Sequence, residues 1–164
     1  MVLVAAKTEL IGLNGLLDQF KRLSSEMTQR TARRMVATAG GILRKEAKAI
    51  AQAKGLNRSG AMIRNIAIKR ERNTREGTEQ YNLGVRHGKQ LKKAKKKDLE
   101  LFLRKNGRIV WRRTDDPFYW RFLEFGTKSI NPFRFMQQSL ENKHNEAIEA
   151  MKKRLEDDLR KAGR

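Results

Sequence analysis

The stretch YWRFLEFGTKSINPFRFMQQS, residues 119–139, decides the fold. Asp115-Asp116-Pro117 lies just before it and supplies an acidic cap with a proline at the first helical position. Gly126 stands where a left-handed residue would end that helix, so a short helix is predicted between Pro117 and Gly126. Asn131-Pro132 repeats the opening device. From there Phe133, Met136, Leu140, Ala147, Ile148, Met151, Leu155, Leu159 and Ala162 lay one apolar stripe at helical spacing. A helix from Pro132 to Ala162 would be about 46 Å long at 1.5 Å per residue. That exceeds what a small core covers, so part of it is expected to pack on a neighbouring subunit.

Upstream the period is two. Ile66 and Ile68 alternate with Ala67 and Lys69, and Tyr81, Leu83 and Val85 with Asn82, Gly84 and Arg86, which predicts an antiparallel pair. Leu99, Leu101 and Leu103 alternate up to Asn106-Gly107, after which Ile109 and Trp111 alternate with Val110 and Arg112. Asn-Gly favours a two-residue type I′ turn, so a second hairpin is predicted. Ser59 could cap one helical turn at Ala61 to Asn65. Further back, Ala32, Met35, Val36, Ala39, Ile42, Leu43, Ala47 and Ile50 mark a long helix ending before Gly55. It contains Gly40-Gly41, each costing about 1 kcal/mol relative to alanine. Close packing there and a kink are both open readings. Leu13, Leu16, Leu17, Phe20 and Leu23 predict a short first helix, and Met1 to Ala6 a strand or docked arm. The predicted class is α+β, a small antiparallel sheet of about four strands with long helices packed on it and a long C-terminal helix.

A chain of 164 residues fits one domain, 1–164, with a basic loop or hairpin insertion at about 88–112. The absence of cysteine removes disulfides, thiolate metal sites and cysteine nucleophiles. The apolar start is too short for a signal segment or a membrane span. His87 and His144 belong to no metal-ligand spacing, and His144 falls on the apolar stripe, where edge-of-core packing is expected. Asp115-Asp116 reads as a helix cap and Asp157-Asp158 as part of a solvated ion-paired face. No phosphate-binding loop, nucleophile elbow or dinucleotide fingerprint occurs. The chain is read as non-enzymatic, with no cofactor and no metal.

Charge carries the functional signal. Lys and Arg number 38 against 18 Asp and Glu, a net +20, which implies a polyanionic or acidic partner. Half of it lies between Arg86 and Arg113, where twelve basic residues face two acidic ones. Lys89, Lys92, Lys93, Lys95, Lys96, Lys97, Arg104, Lys105, Arg108, Arg112 and Arg113 are the candidate contacts to nucleic acid or an acidic partner. No helix-turn-helix, zinc-finger or RNA-recognition pattern accompanies them, so contact with nucleic acid would be to the backbone. A cytoplasmic, sequence-nonspecific nucleic-acid-binding protein is the alternative that the charge suggests.

Phe118 to Thr127, closing on Phe122, Glu124, Phe125, Gly126 and Thr127 and followed by Pro132-Phe133, resembles the hallmark of the neck, or tail-completion, family of long-tailed phages. Ile11-Gly12-Leu13 before a Leu-rich segment and Arg58-Ser59-Gly60 before the first hairpin are also similar to that family. The basic stretch from Lys89 to Lys105 is longer than its typical tip. The resemblance implies a virion structural protein, a homo-oligomeric ring at the head-to-tail junction, assembled in the host bacterial cytoplasm. Its implied neighbours are head-closure or connector proteins, tail-terminator or tail-tube proteins and the genomic DNA passing through, with no membrane. Within the signature, Glu124 and Thr127 are expected to tie the turn by hydrogen bonds, while Phe122, Phe125, Phe133 and Phe135 anchor it in apolar contacts.

Overall fold

The computed structural model describes residues 25–56, 59–72, 78–91 and 99–162. The predicted arm Met1–Ala6, the first helix near Leu13–Leu23, and Lys92, Lys93, Lys95, Lys96 and Lys97 lie outside them. Helix α1 (Ser25–Ala53) leads into the short α2 (Ala61–Asn65), strands β1 (Ile66–Arg70) and β2 (Tyr81–Val85), and strands β3 (Leu99–Leu103) and β4 (Ile109–Arg113). Helices α3 (Trp120–Phe125) and α4 (Phe135–Ala162) close the chain. The class is α+β. The four strands form two separate antiparallel hairpins, β1–β2 and β3–β4, rather than one sheet.

Helices α1 and α4 form an antiparallel pair whose ends are tied by polar contacts. At one end Thr31 Oγ1 and Arg34 Nη1 donate to Asp158, both at 3.2 Å. At the other, Lys54 Nζ donates to the Phe133 carbonyl at 2.6 Å and to Gln138 Oε1 at 2.7 Å. Helix α1 has 29 residues and α4 has 28, so at 1.5 Å per residue each is about 42–44 Å long. The expected overhang of the last helix is therefore not found, because α1 matches it end to end. Asp158 is buried, not on a solvated face. Burying a carboxylate costs free energy unless it is paired, and a hydroxyl with two guanidinium groups, Arg34 and Arg154, supplies that pairing. His144 is exposed, with Nδ1 at 3.0 Å from the Glu141 carbonyl oxygen, and not at the core edge. It lies one turn beyond Leu140, itself exposed, so that part of the stripe faces outward.

The core gathers where α1, α2, β1, β2 and the start of α4 meet. Ala47, Ala51, Met62, Ile63, Ile66, Val85 and Phe135 are buried there, with Leu83, Tyr119, Trp120, Leu123 and Met136 around them. In the β1–β2 register Ile66 faces Val85 and Ile68 faces Leu83, so alternation turns these four toward α1. Gly40 explains itself in this packing: a Cβ there would stand 3.1 Å from Ile68 Cγ2, whereas nothing lies within 4 Å of a Cβ at Gly41. Helix α1 runs unbroken through both. The glycine pair thus combines one close approach with one position that packing leaves open. Beside it Glu79 accepts from Arg70 Nε at 2.7 Å, Arg70 Nη2 at 2.8 Å and Arg33 Nε at 2.9 Å, which ties β1 to α1.

Two outcomes follow. Gly41→Ala should stabilise the protein by about 1 kcal/mol in urea denaturation, the ordinary helix gain, while Gly40→Ala should give less or destabilise. The Arg70 hydrogen bonds, with Arg33 second, hold the Glu79 carboxyl at about 2 against its ordinary 4.5. Its folded value being depressed, its contribution is complete above 4.5 and is lost as the pH falls from there toward 2. Glu79→Gln should lower stability at pH 7 by about 1–3 kcal/mol and flatten the acid limb of a stability-versus-pH curve in that window.

Candidate assembly surface

Hairpin β3–β4 projects as an arm with no extensive packing on the other described elements. Its register sets Leu101 opposite Trp111 and Leu103 opposite Ile109, on one face. These four side chains are 64–68% exposed. The opposite face carries Phe102 beside Val110, and Arg112 lies over the Phe102 ring at 5.2 Å. A strand pair with one solvated face would alternate apolar and polar residues; this one is apolar along one face and carries Phe102 and Val110 beside Glu100 and Arg112 on the other. A lone hairpin is marginally stable in water, and covering a Leu, Ile or comparable side chain is worth about 1.5–3 kcal/mol.

The arm's tip departs from the expected turn. Arg104 N donates to the Arg108 carbonyl and Gly107 N to the Arg104 carbonyl, both at 2.9 Å. Gly107 alone has positive φ, 75°, so Asn106 is not in a type I′ turn and Lys105-Asn106-Gly107 forms a three-residue loop ending in a glycine bulge. Arg104, Lys105 and Arg108 are exposed around it, and Lys89 is exposed in the 3-10 turn Gly88–Gln90. Arg113 is engaged at the arm's root: Nε and Nη2 each donate to Asp115 at 2.8 Å, and this hydrogen bonding lowers the Asp115 pKa. Asp116 accepts from Gly88 N at 3.1 Å. The acidic pair therefore anchors the arm and does not cap a helix, and α3 begins at Trp120, three residues beyond Pro117.

The signature segment works as a joint. Glu124, buried, accepts from Met136 N and Gln137 N at 3.1 Å, satisfying two of the free N–H groups that open α4. Thr127 Oγ1 accepts from Ser129 N at 3.2 Å and Ile130 N at 3.1 Å. Both residues tie the turn as expected. Gly126 has φ 77° and ψ 176°, an extended mirror conformation rather than the left-handed helical one, and its Cβ would stand 2.8 Å from the Ile130 carbonyl. Asn131-Pro132 does not open α4. Phe133 N donates to the Leu123 carbonyl at 2.8 Å, Arg134 takes φ 48°, and the helix starts at Phe135. Of the four phenylalanines, Phe135 is fully buried and Phe133 half-buried, but Phe122 is 50% and Phe125 74% exposed. With Phe118 and Ile130, also exposed, they give the chain a second group of uncovered apolar side chains.

In the sequence the cations stand out, whereas Leu101, Leu103, Ile109 and Trp111 have the alternation of ordinary strand residues. Apolar residues on both faces of a predicted hairpin were the available signal. Among the described residues no three acidic or histidine side chains gather as a metal site, and no helix is long and apolar enough to cross a membrane.

A long helix pair with one hairpin packed on it and a second held out, its apolar face uncovered, is the arrangement of the described residues. The chain belongs to the HK97-gp10-like family of bacteriophage tail components, which matches residues 14–126. It is a phage structural tail protein. No curated protein and no solved structure matches it.

Loss of the Glu124 carboxylate should be costly because it leaves two N–H groups at the start of α4 without their acceptor. Glu124→Ala should lower stability by about 1–3 kcal/mol in chemical denaturation, and Gly126→Ala by more than about 1 kcal/mol, through positive φ and the Ile130 carbonyl together.

Proposed function

We propose that this protein is a subunit of the phage neck, forming a homo-oligomeric ring that joins the DNA-filled head, at its head-closure or connector side, to the tail terminator or tail tube. The observation that carries the reading is the exposed apolar face of β3–β4. Residues of that kind in a water-facing arm favour contact with another protein surface and give a nucleic-acid backbone nothing to hold. Two unlike apolar groups on one chain, the arm's face and the Phe122/Phe125 group, suit a head-to-tail contact between copies, which forms a ring when the rotation between copies closes. Family membership supports a virion location, and the neck is its proposed place. The cations Arg104, Lys105 and Arg108 at the arm's tip, with Lys89 and the Lys92–Lys97 run, would face the DNA path and meet phosphates without reading bases. No catalytic role is assigned.

The test is complementation of a phage lacking this protein. Leu103→Glu with Trp111→Glu should leave circular dichroism of the purified subunit unchanged, since the arm contributes nothing to the core. It should reduce joined, infectious particles by at least a hundredfold, with separate heads and tails visible by electron microscopy. Full particle yield with this variant would overturn the reading. The nucleic-acid alternative predicts instead that Arg104→Glu with Arg108→Glu abolishes binding to free duplex DNA while particles assemble normally.

A further inference from the structure

The face of β1–β2 turned away from α1 holds a cleft of about 600 Å³. Ala67 and Gly84, directly paired across the ladder, give it a base of small residues. Lys69, Arg86 and Arg121 line it, all exposed and none in an ion pair with a described residue. The one acid among the lining residues is Glu71, and its carboxylate already accepts from Asn82 Nδ2 at 3.2 Å and Arg72 N at 3.1 Å. Trp120 also lines the cleft, and its buried indole N–H has no acceptor among the described residues. Lys69 and Arg86, without an ion-pair partner among the described residues, and Arg121, stacked on Trp120, together favour an acceptor-rich anionic group.

We propose that this cleft binds an acidic, extended polypeptide segment of a neighbouring virion protein, its carboxylates meeting Lys69, Arg86 and Arg121. That the partner is a virion protein rests on the function proposed above; the recognition chemistry does not. Shape and lining favour a peptide over nucleic acid. Duplex phosphates lie on a convex surface, which protruding cations reach better than a concave cleft does. Single strands need an open aromatic face for stacking, and the Trp120 ring is covered by the Arg121 guanidinium at 5.6 Å. The small base of Ala67 and Gly84 leaves room for the stems of side chains.

The probe is N-acetyl-hexaglutamate amide, titrated into full-length Trp111→Phe protein, in which Trp120 is the sole remaining tryptophan. A saturable change in Trp120 emission is expected with hexaglutamate and none with hexaglutamine. Gly84→Leu on the same background should weaken binding at least tenfold. It keeps every charge and places its Cβ where no atom lies within 4 Å. Lys69→Glu with Arg121→Glu should weaken it as much, with circular dichroism confirming the fold of each variant. No response to hexaglutamate, or equal binding by the Gly84→Leu protein, would overturn the proposal. So would oligothymidylate of equal charge binding more tightly through the same residues. The arm variants of the complementation test touch a different surface, so failure of either experiment leaves the other's answer standing.

Discussion

The carboxylate of Glu124 determines where the last helix begins, and much of the architecture depends on that start. Two N–H groups at the head of α4 converge on it, and Arg134 is held at positive φ just before. A non-glycine residue in that region costs about 1–3 kcal/mol and persists only where its surroundings over-determine it. Here the Phe133–Leu123 bond on one side and the capped helix on the other do so. Moving the start by one residue would rotate α4 by about 100° and carry Ser139, Ala147, Leu155 and Asp158 off the face that meets α1. Lys54 and Thr31 would then lose their partners at opposite ends of the pair. One buried acid thereby sets the register of two helices.

Periodicity made the element types legible, and local turn chemistry misplaced their details. Both hairpins, the short helix at Ala61–Asn65 and the two long helices stand where alternation and helical spacing put them. The acidic caps failed because sequence cannot tell a carboxylate that answers a helix from one that answers a nearby guanidinium. Asp115 took Arg113, and Asp116 took a backbone N–H of residue 88. Asp158 was misread for a similar reason: its acceptance of Thr31 depends on tertiary pairing that periodicity alone does not reveal. The exposed phenylalanines mark the deepest limit, since an aromatic residue beside a glycine turn has the same spelling whether it fills a core or awaits a partner.

Charge and apolar surface occupy neighbouring parts of the molecule. On the arm, exposed leucines and Trp111 lie a few residues from Arg104, Lys105 and Arg108, and Arg112 covers the Phe102 ring. Cations beside an unpaired strand edge discourage copies from adding edge to edge. A chain of net +20 also repels itself at long range. Both effects oppose non-specific association of copies.

The hydrogen bond from Thr31 to Asp158 joins residues 127 positions apart. Chains are synthesised from the N-terminus, so α1 emerges first, and α2 with the β1–β2 hairpin can cover its C-terminal half before α4 is made. The N-terminal end of α1, at Thr31, gains its partner Asp158 only with the later turns of α4. Contacts of such long sequence separation slow folding, because the intervening loop must close before they form. Until α4 is made, the end of α1 around Thr31 lacks that partner and is open to chaperones and to other nascent copies.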